Sequence, residues 1–409
     1  MNVVVVGAQW GDEGKGKIVD YLADTSDMVV RFSGGANAGH TIVLGDETYK
    51  LHLVPSGIIY PDTAVVLGTG MVIDPEALFN ELAMLEEQGI EWQGRVKISD
   101  RAHLVLPGYK KLDVETDKKR KFPLGTTGRG IGVTYSLKAS RDGVRVADIY
   151  QERVFKRLEK ENIDFIEAYK DRIKPMVVDL ASFMAGQKGK KILFEGAQGI
   201  LLDLDWGTYP FVSSGCSTAT GAAAGGGIGP RNIDTVLGVF KAYSTRVGNG
   251  PFPSEFDEER EGELCHFVRE QGREYGVTTG RPRRCGYLDL VALKYACRVS
   301  SIDYLVMTHL DVYDTLDTVS ACTGYEIDGK EVSDFPSSVE ALERAKPIIR
   351  TFEGWQQPIG GCREYASLPE PAKKYIEFIE EYTGTPVGIV SVGYRRKETI
   401  LRIDPWIRS

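Results

Sequence analysis

The sequence has six cysteines, at 216, 265, 285, 297, 322 and 362, and no C-x-x-C pair among them. Neither a zinc ribbon nor a disulfide scaffold is therefore expected, and free thiols suggest a reducing compartment. No apolar run approaches the length needed to cross a bilayer. The chain opens directly into an apolar segment, without the basic stretch and cleavage site of a secretory leader. Positive charge is also scarce: 50 Lys and Arg against 58 Asp and Glu leave a net charge of −8. That balance argues against a nucleic-acid groove as the main surface, though not against a small basic pocket. The expectation is a cytoplasmic protein with no nucleic-acid and no membrane partner. What remains is ordinary for a soluble enzyme, 42% hydrophobic and 26% charged over 409 residues. Such a length can bury a core as two or three average domains or as one large α/β domain.

The chain is organised around MNVVVVGAQWGDEGKGK. Residues 2–7, with four consecutive valines, read as a buried strand, too short for a helix and β-branched. Helical spacing resumes at Ile18, Val19 and Leu22, so a strand-to-helix turn lies between. Gly11, Gly14 and Gly16 allow that turn to aim backbone N–H groups at an anion beside a helix N-terminus. Gly11-x-x-x-x-Gly16-Lys17 fits a phosphate-cradling loop up to its last position, where Ile18 replaces the Mg²⁺-holding hydroxyl. Asp12 and Glu13 would repel phosphate unless they bind the metal, take a proton or point away. The working reading is that Asp12 does the first two.

Further along, residues 28–32 form a second apolar strand leading into SGGANAGHT (33–41), and 41–54 resemble a hairpin around Gly45-Asp46. Residues 64–72 read as one strand with glycines at 68 and 70. Asp74-Pro75-Glu76 starts a helix that Gly89 ends. The charged run 109–121 has little apolar periodicity and is expected to be a solvated loop. GTTGRGIG (125–132) fits either turn chemistry or phosphate contact. Two helical patterns span 148–186, and the strand 191–194 ends in EGAQG. The glycine-rich stretch 207–229 is too long for an ordinary connection, so it is functional or poorly ordered. Strands follow at 235–243 and 303–308, helices at 258–272 and 288–298, then a helix near 368–383 and strands at 387–391 and 398–403. Alternating strands and helices, with no internal repeat or linker, favour a single domain over 1–409.

Of five histidines, only His40 sits in a glycine-rich loop at a strand end, where structural and catalytic readings both stand. Asp311 could accept from guanine N1–H and its exocyclic amine, or cap a turn. Gln198 offers one donor and one acceptor to a purine edge. Arg281, Arg283 and Arg284, behind Thr278-Thr279-Gly280 in an acidic chain, suit a dicarboxylate substrate, because guanidinium forks bind carboxylates bidentately.

QWGDEGKGK (9–17), GGANAGHT (34–41), GTTGRGIG (125–132), FEGAQG (194–199), KAYSTRVGNGPFP (241–253) and TTGRPRR (278–284), in this order, closely resemble the adenylosuccinate synthetase family. The resemblance runs from residue 2 to about 404. It implies ligation of L-aspartate to IMP with GTP as co-substrate and one Mg²⁺ per subunit, giving adenylosuccinate, GDP and phosphate. It also implies a P-loop NTPase-like α/β fold: a large, mostly parallel central sheet with helices on both faces, elaborated by loops and helices, in a homodimer.

By motif, Asp12 would be the general base on IMP and His40 the general acid, with Asp12 and the Gly39 carbonyl as the metal ligands. GTP would be held by Gly11, Asp12, Glu13, Gly14, Lys15, Gly16, Lys17, Gly39, His40, Thr41, Arg283, His309, Leu310, Asp311, Ser391, Val392 and Gly393. IMP would meet Asp12, Asn37, Ala38, Gly39, His40, Thr127, Gln198, Ser213 and Arg281, with Arg141 reaching the neighbouring subunit's site. Aspartate would meet Val277, Thr278, Thr279, Gly280, Arg281, Pro282 and Arg283.

The chain departs from the family pattern with Ser213 for Thr, His309 for Lys, and Val392 within the usual S-T-G. His309 bears on the preference for GTP over ATP, because a Lys stem would pack along the guanine. A phage branch acting on dGMP has Ser in place of the loop aspartate; Asp12 keeps the IMP reading. An aspartate in water titrates near ~3.9, far below a purine N1–H, and each unit of mismatch costs about 1.4 kcal/mol. The implied route therefore requires the charge on the 6-oxygen to be consumed by attack on the γ-phosphorus, giving 6-phosphoryl-IMP. A GTP switch protein would leave His40 and the arginine loop unexplained. A dinucleotide-dependent oxidoreductase would need a G-x-G-x-x-G that Gly7-Ala8-Gln9 breaks.

Overall fold

The computed structural model describes residues 1–37, 39–44, 47–121, 126–276 and 280–407, with the backbone alone for 40, 41, 43 and 44. The valine run forms strand β1, Asn2–Gly7, buried from Val3 onward. A strand covered on both faces belongs inside a sheet. Nine more strands complete the main sheet: β2 Met28–Arg31, β3 Ala64–Leu67, β4 Val96–Ser99, β5 Val177–Val178, β6 Ile192–Gly199, β7 Thr235–Lys241, β8 Tyr304–Thr308, β9 Val387–Ser391 and β10 Thr399–Leu401. Their spatial order is β10-β9-β8-β7-β1-β6-β2-β3-β4-β5. The pairs β6–β2, β2–β3, β3–β4, β4–β5, β7–β8 and β8–β9 are parallel, while β10 runs antiparallel to β9. The expected large, mostly parallel sheet with helices is therefore present.

The chain divides into two compact units, one of 1–4, 18–197 and 213–234, the other of 5–17, 198–212 and 235–409. In the first, the helix Pro75–Glu87 begins as its sequence requires. Asp74 accepts from the Glu76 and Ala77 N–H groups, a cap of about 1 kcal/mol. The anticipated hairpin is there, His40–Leu44 against Glu47–Leu51; its turn at Gly45-Asp46 lies outside the described residues.

Two readings need correction in this unit. Residues 109–121 are not a solvated loop: Pro107–Lys119 is a helix with Tyr109 and Asp113 buried. Its lysines face outward, Lys110 to Asp74 and Lys111 to Glu161, so the charge that hid the periodicity marks its solvent face. The strand expected over 64–72 stops at Leu67, and Val72–Ile73 pairs elsewhere, with His103–Leu104. Any Cβ at Gly68 or Gly70 would collide with the Gly225 or Phe32 carbonyls, so the chain passes there only as glycine. The glycine-rich stretch 207–229 is built, in part as the helix Thr220–Gly226.

In the second unit, the helices Glu258–Gln271, Leu290–Ser300 and Glu370–Thr383 fall close to the expected spans. Residues 318–353 add an antiparallel arrangement, Thr318–Ile327 between Lys330–Val332 and Lys346–Glu353, that the sequence reading did not anticipate.

Candidate active site

In the second unit, β1 delivers the chain into a turn where Gly11, Asp12 and Gly14 all take positive φ, 86°, 57° and 83°. Left-handed backbone at a non-glycine residue is costly and marks Asp12 as specially placed. The two acidic residues of the loop are used in opposite ways. Glu13 turns inward and is fully buried; its Oε1 accepts the N–H groups of Gly11 at 2.8 Å and Gln9 at 3.2 Å, and its Oε2 pairs with Lys15 at 2.5 Å. The charge that would repel phosphate is thus spent on the loop's own donors. Gly7 and Gly199 are obligatory beside it, since a Cβ at either would strike the Glu13 carboxylate. Gln9 fastens the loop to β7 through Tyr243 O and the Lys241 N–H, and Thr308 at the end of β8 donates to Glu13 O.

Asp12 instead presents its carboxylate, with a side chain 42% exposed, and its Oδ2 lies 2.9 Å from Arg283 Nε. Arg283 Nη1 donates to Glu274 Oε2 at 2.8 Å. Glu274 is fully buried; its Oε1 also receives Lys241 Nζ and the Tyr243 hydroxyl, each at 2.5 Å. Burial alone would raise this carboxyl, but Lys241, His309 and the hydrogen bonds from Lys241 and Tyr243 outweigh it and hold the group down at about 2. Tyr243 reaches on to His309 Nδ1 at 3.3 Å. Burial, reinforced by Lys241, pushes the His309 imidazole down to about 4.

His309 takes φ 57° and caps the short turn Leu310–Tyr313, which carries Asp311. Burial raises the Asp311 carboxyl, with Lys17 opposing. Lys17 Nζ donates to Ser391 Oγ, Gly393 O and Glu398 O at 2.7, 2.7 and 2.9 Å. All three of its donors are engaged, and burial pushes the amine down to about 8. The loop, the Asp311 turn and the 391–393 segment thus belong to one connected set within this unit, which also holds Val392 and Gln198, the latter at φ 64°.

At the foot of the segment expected to meet aspartate, the Tyr275 and Pro282 backbones bridge and the Arg283 N–H donates to Glu274 O. Gly280, Arg281 and Pro282 are exposed at its rim; Val277, Thr278 and Thr279 lie outside the described residues. Arg284 grips Glu255 through Nε at 2.7 Å and Nη2 at 2.5 Å. Arg283 and Arg284 are thus both tied to carboxylates within this unit.

In the first unit, Arg31 is buried at the end of β2, and its guanidinium donates to Gly35 O at 2.8 Å and His52 O at 2.7 Å. One side chain thereby ties down both ends of the excursion carrying Asn37, Gly39, His40 and Thr41. The Asn37 amide oxygen is buried without a partner among the described residues. Gly39 is exposed; Ala38 and the side chains of His40 and Thr41 lie outside the description. Asp113 accepts the Gly130 N–H and the Thr126 hydroxyl, holding the GTTGRGIG turn and leaving Thr127 exposed. Arg141 ends the helix Ile131–Ser140 in left-handed backbone with an exposed side chain. Ser213 is half-buried in the stretch before Gly215, which abuts Ser33 and Tyr135.

Sequence reasoning gave no role to Arg31, Asp113, Lys241, Tyr243 or Glu274. Lys241 and Tyr243 stood inside a quoted motif; Glu274 carried no local signal.

The profile of the family described as adenylosuccinate synthetase matches residues 4–400. An adenylosuccinate synthetase of Clostridium novyi is 49% identical over 423 residues, covering 97% of this chain and 98% of its own. The structure of a fully ligated adenylosuccinate synthetase from Plasmodium falciparum matches with TM-score 0.90 and 39% identity, over 98% of this chain and 99% of that one. A cyanophage S-2L succinoaminodeoxyadenylate synthetase, bound to dGMP and dATP, shares the fold with TM-score 0.64 at 20% identity, over 99% of this chain and 96% of its own. With agreement along nearly its whole length in both sequence and backbone, this chain belongs to the adenylosuccinate synthetase family.

Proposed function

We propose that Asp12 is the base that takes the N1 proton of IMP, with His40 as the acid on the transferring phosphoryl group. The family reaction ligates L-aspartate to IMP using GTP, with Mg²⁺ as cofactor and in homodimers, and this chain is a C–N bond-forming ligase of that kind. One observation carries the assignment to Asp12. Of the two loop carboxylates, Glu13 is buried on the loop's own donors, while Asp12 is turned out at left-handed backbone.

Mg²⁺ usually takes one or two carboxylates and completes its shell with substrate phosphates and water. Among the described residues no group of three or more His, Cys, Asp and Glu could hold a metal unaided. A single accessible carboxylate at Asp12 therefore fits a metal that arrives with nucleotide. Asp12 and the Gly39 carbonyl would hold it, and when bound it would supply Lewis-acid stabilisation of phosphoryl oxygens.

In this reading the Gly11–Lys17 loop and the N–H groups of Gly39–Thr41 face the GTP phosphates, with the Gly11 N–H held by Glu13, which shapes the loop from within. Asp311 reads guanine beside His309, Leu310 and the Ser391–Gly393 segment. Asn37, Ala38, Thr127, Gln198, Ser213 and Arg281 surround IMP, and Arg141 serves the partner's site. Residues 277–283 hold L-aspartate. Asp12 draws the proton as the 6-oxygen attacks, so that charge never accumulates on the purine; the aspartate amine, oriented by Arg281 and Arg283, then displaces phosphate from C6.

The same reading takes 1–409 as one functional α/β domain in the cytoplasm. The family match across 4–400 supports the first. For the second, no helix among the described residues is long and apolar enough to cross a membrane. The test is an incubation with IMP, L-aspartate, Mg²⁺ and either GTP or ATP. Succinyl-purine formed with GTP supports the reading; its absence with both nucleotides refutes it.

A further inference from the structure

Glu274 has two carboxylate oxygens and uses each toward a different part of the second unit. Oε2 meets Arg283 Nη1 at 2.8 Å, and the backbone carbonyl of Glu274 accepts the Arg283 N–H at 2.9 Å, so side chain and main chain together clamp the foot of the arginine loop. Oε1 takes the Tyr243 hydroxyl at 2.5 Å. An ionised carboxylate can only accept, so Tyr243 spends its single proton there. At His309 Nδ1, 3.3 Å away, Tyr243 can then act only as acceptor, which requires the ring proton to sit on Nδ1. Neutral imidazole in that state keeps a lone pair on Nε2. The low value of the Glu274 carboxyl and the lowered imidazole agree with both charge states.

Resting on the GTP-dependent reading above, we propose that Glu274 is a positioning residue: it pins Arg283 and, through Tyr243, holds His309 as the Nδ1–H tautomer, offering Nε2 as an acceptor to a donor group of the guanosine. A lysine at 309 could only donate, so this chain presents the nucleoside with the opposite polarity. The arginine loop and the guanosine contact are set by one buried group.

The wild-type enzyme is first shown to form the succinyl-purine with GTP; failure there sinks the functional reading, whereas the outcomes below concern Glu274 alone. Glu274→Gln is expected to lower kcat/KM for L-aspartate and to raise KM for GTP, each about ten- to hundredfold, as for loss of a charge-assisted hydrogen bond. Tyr243→Phe keeps the Arg283 clamp and should raise KM for GTP by about tenfold with KM for L-aspartate unchanged. Unchanged constants, or a uniform fall in kcat with every KM intact, would overturn the proposal. If Glu274→Gln fails to fold, Tyr243→Phe decides, read by ¹⁵N-labelled histidine with the His309 signal identified by its loss in His309→Asn. The wild type should show a protonated Nδ1 and Tyr243→Phe a shift toward Nε2–H; a wild-type ring protonated at Nε2 contradicts the assignment.

Discussion

The guanidinium of Arg283 spans two carboxylates, Asp12 at 2.9 Å and Glu274 at 2.8 Å. The two are not equivalent. Glu274 is fully buried and also held by Lys241 and Tyr243, whereas the Asp12 side chain is 42% exposed. An ion pair exposed to water is weak, whereas losing a partner from a buried one is costly. Arg283 is therefore anchored to Glu274, and its pairing with Asp12 is the more easily exchanged of the two.

Guanine discrimination is expected to reside in Asp311, on the turn that His309 caps. Asp311→Asn should raise KM for GTP by about tenfold or more and narrow the gap to ATP, with KM for IMP unchanged, because a mismatched hydrogen-bond acceptor leaves guanine donors unpaired. Steady-state kinetics with both nucleotides check this.

The tight seat of Glu13 predicts a cost at Gly199. A Cβ there would meet Gln9 O, Gly11 N and the Glu13 carboxylate, so Gly199→Ala must displace the phosphate loop. A loss of about 1–3 kcal/mol in urea unfolding is expected, together with a raised KM for GTP.

Stability should also follow the Glu274 carboxyl. Its folded value of about 2 lies below the ordinary 4.5, so between those pH values the unfolded chain binds more protons than the native one. The contribution, on the order of 3 kcal/mol, is present above about pH 4.5 and is lost as pH falls toward 2. The gap in stability between wild type and Glu274→Gln should therefore be wider at pH 6 than at pH 3 in thermal melts.

The order of bond making can be traced by isotope. With ¹⁸O at C6 of IMP, the label is expected in the released phosphate, because the 6-oxygen leaves bonded to phosphorus. Label retained in the purine would rule out the phosphoryl intermediate.

Features set by neighbours in sequence were legible beforehand. The valine strand, the glycine turn, the Asp74-Pro75 helix start and the hairpin 40–51 each depend on adjacent residues. What escaped depends on distant ones. The helix Pro107–Lys119 hides behind its own charged face. The end of β3 is imposed by the Gly225 and Arg31 carbonyls at Gly68. Glu274 draws its partners from positions 241, 243 and 283, and no spacing rule links them. The loop sequence allows either carboxylate to turn inward, and only side-chain geometry places Glu13 within the loop and Asp12 outside it.

The claim on which the rest depends is that Asp12 performs the proton transfer, and Asp12→Asn tests it most directly. The substitution keeps the size of the side chain and removes its basicity. Turnover should fall by about 10²–10⁴-fold, as for loss of a general base, while calorimetry still records binding of IMP and GTP. Turnover near the wild-type rate, with both ligands bound, would contradict the account.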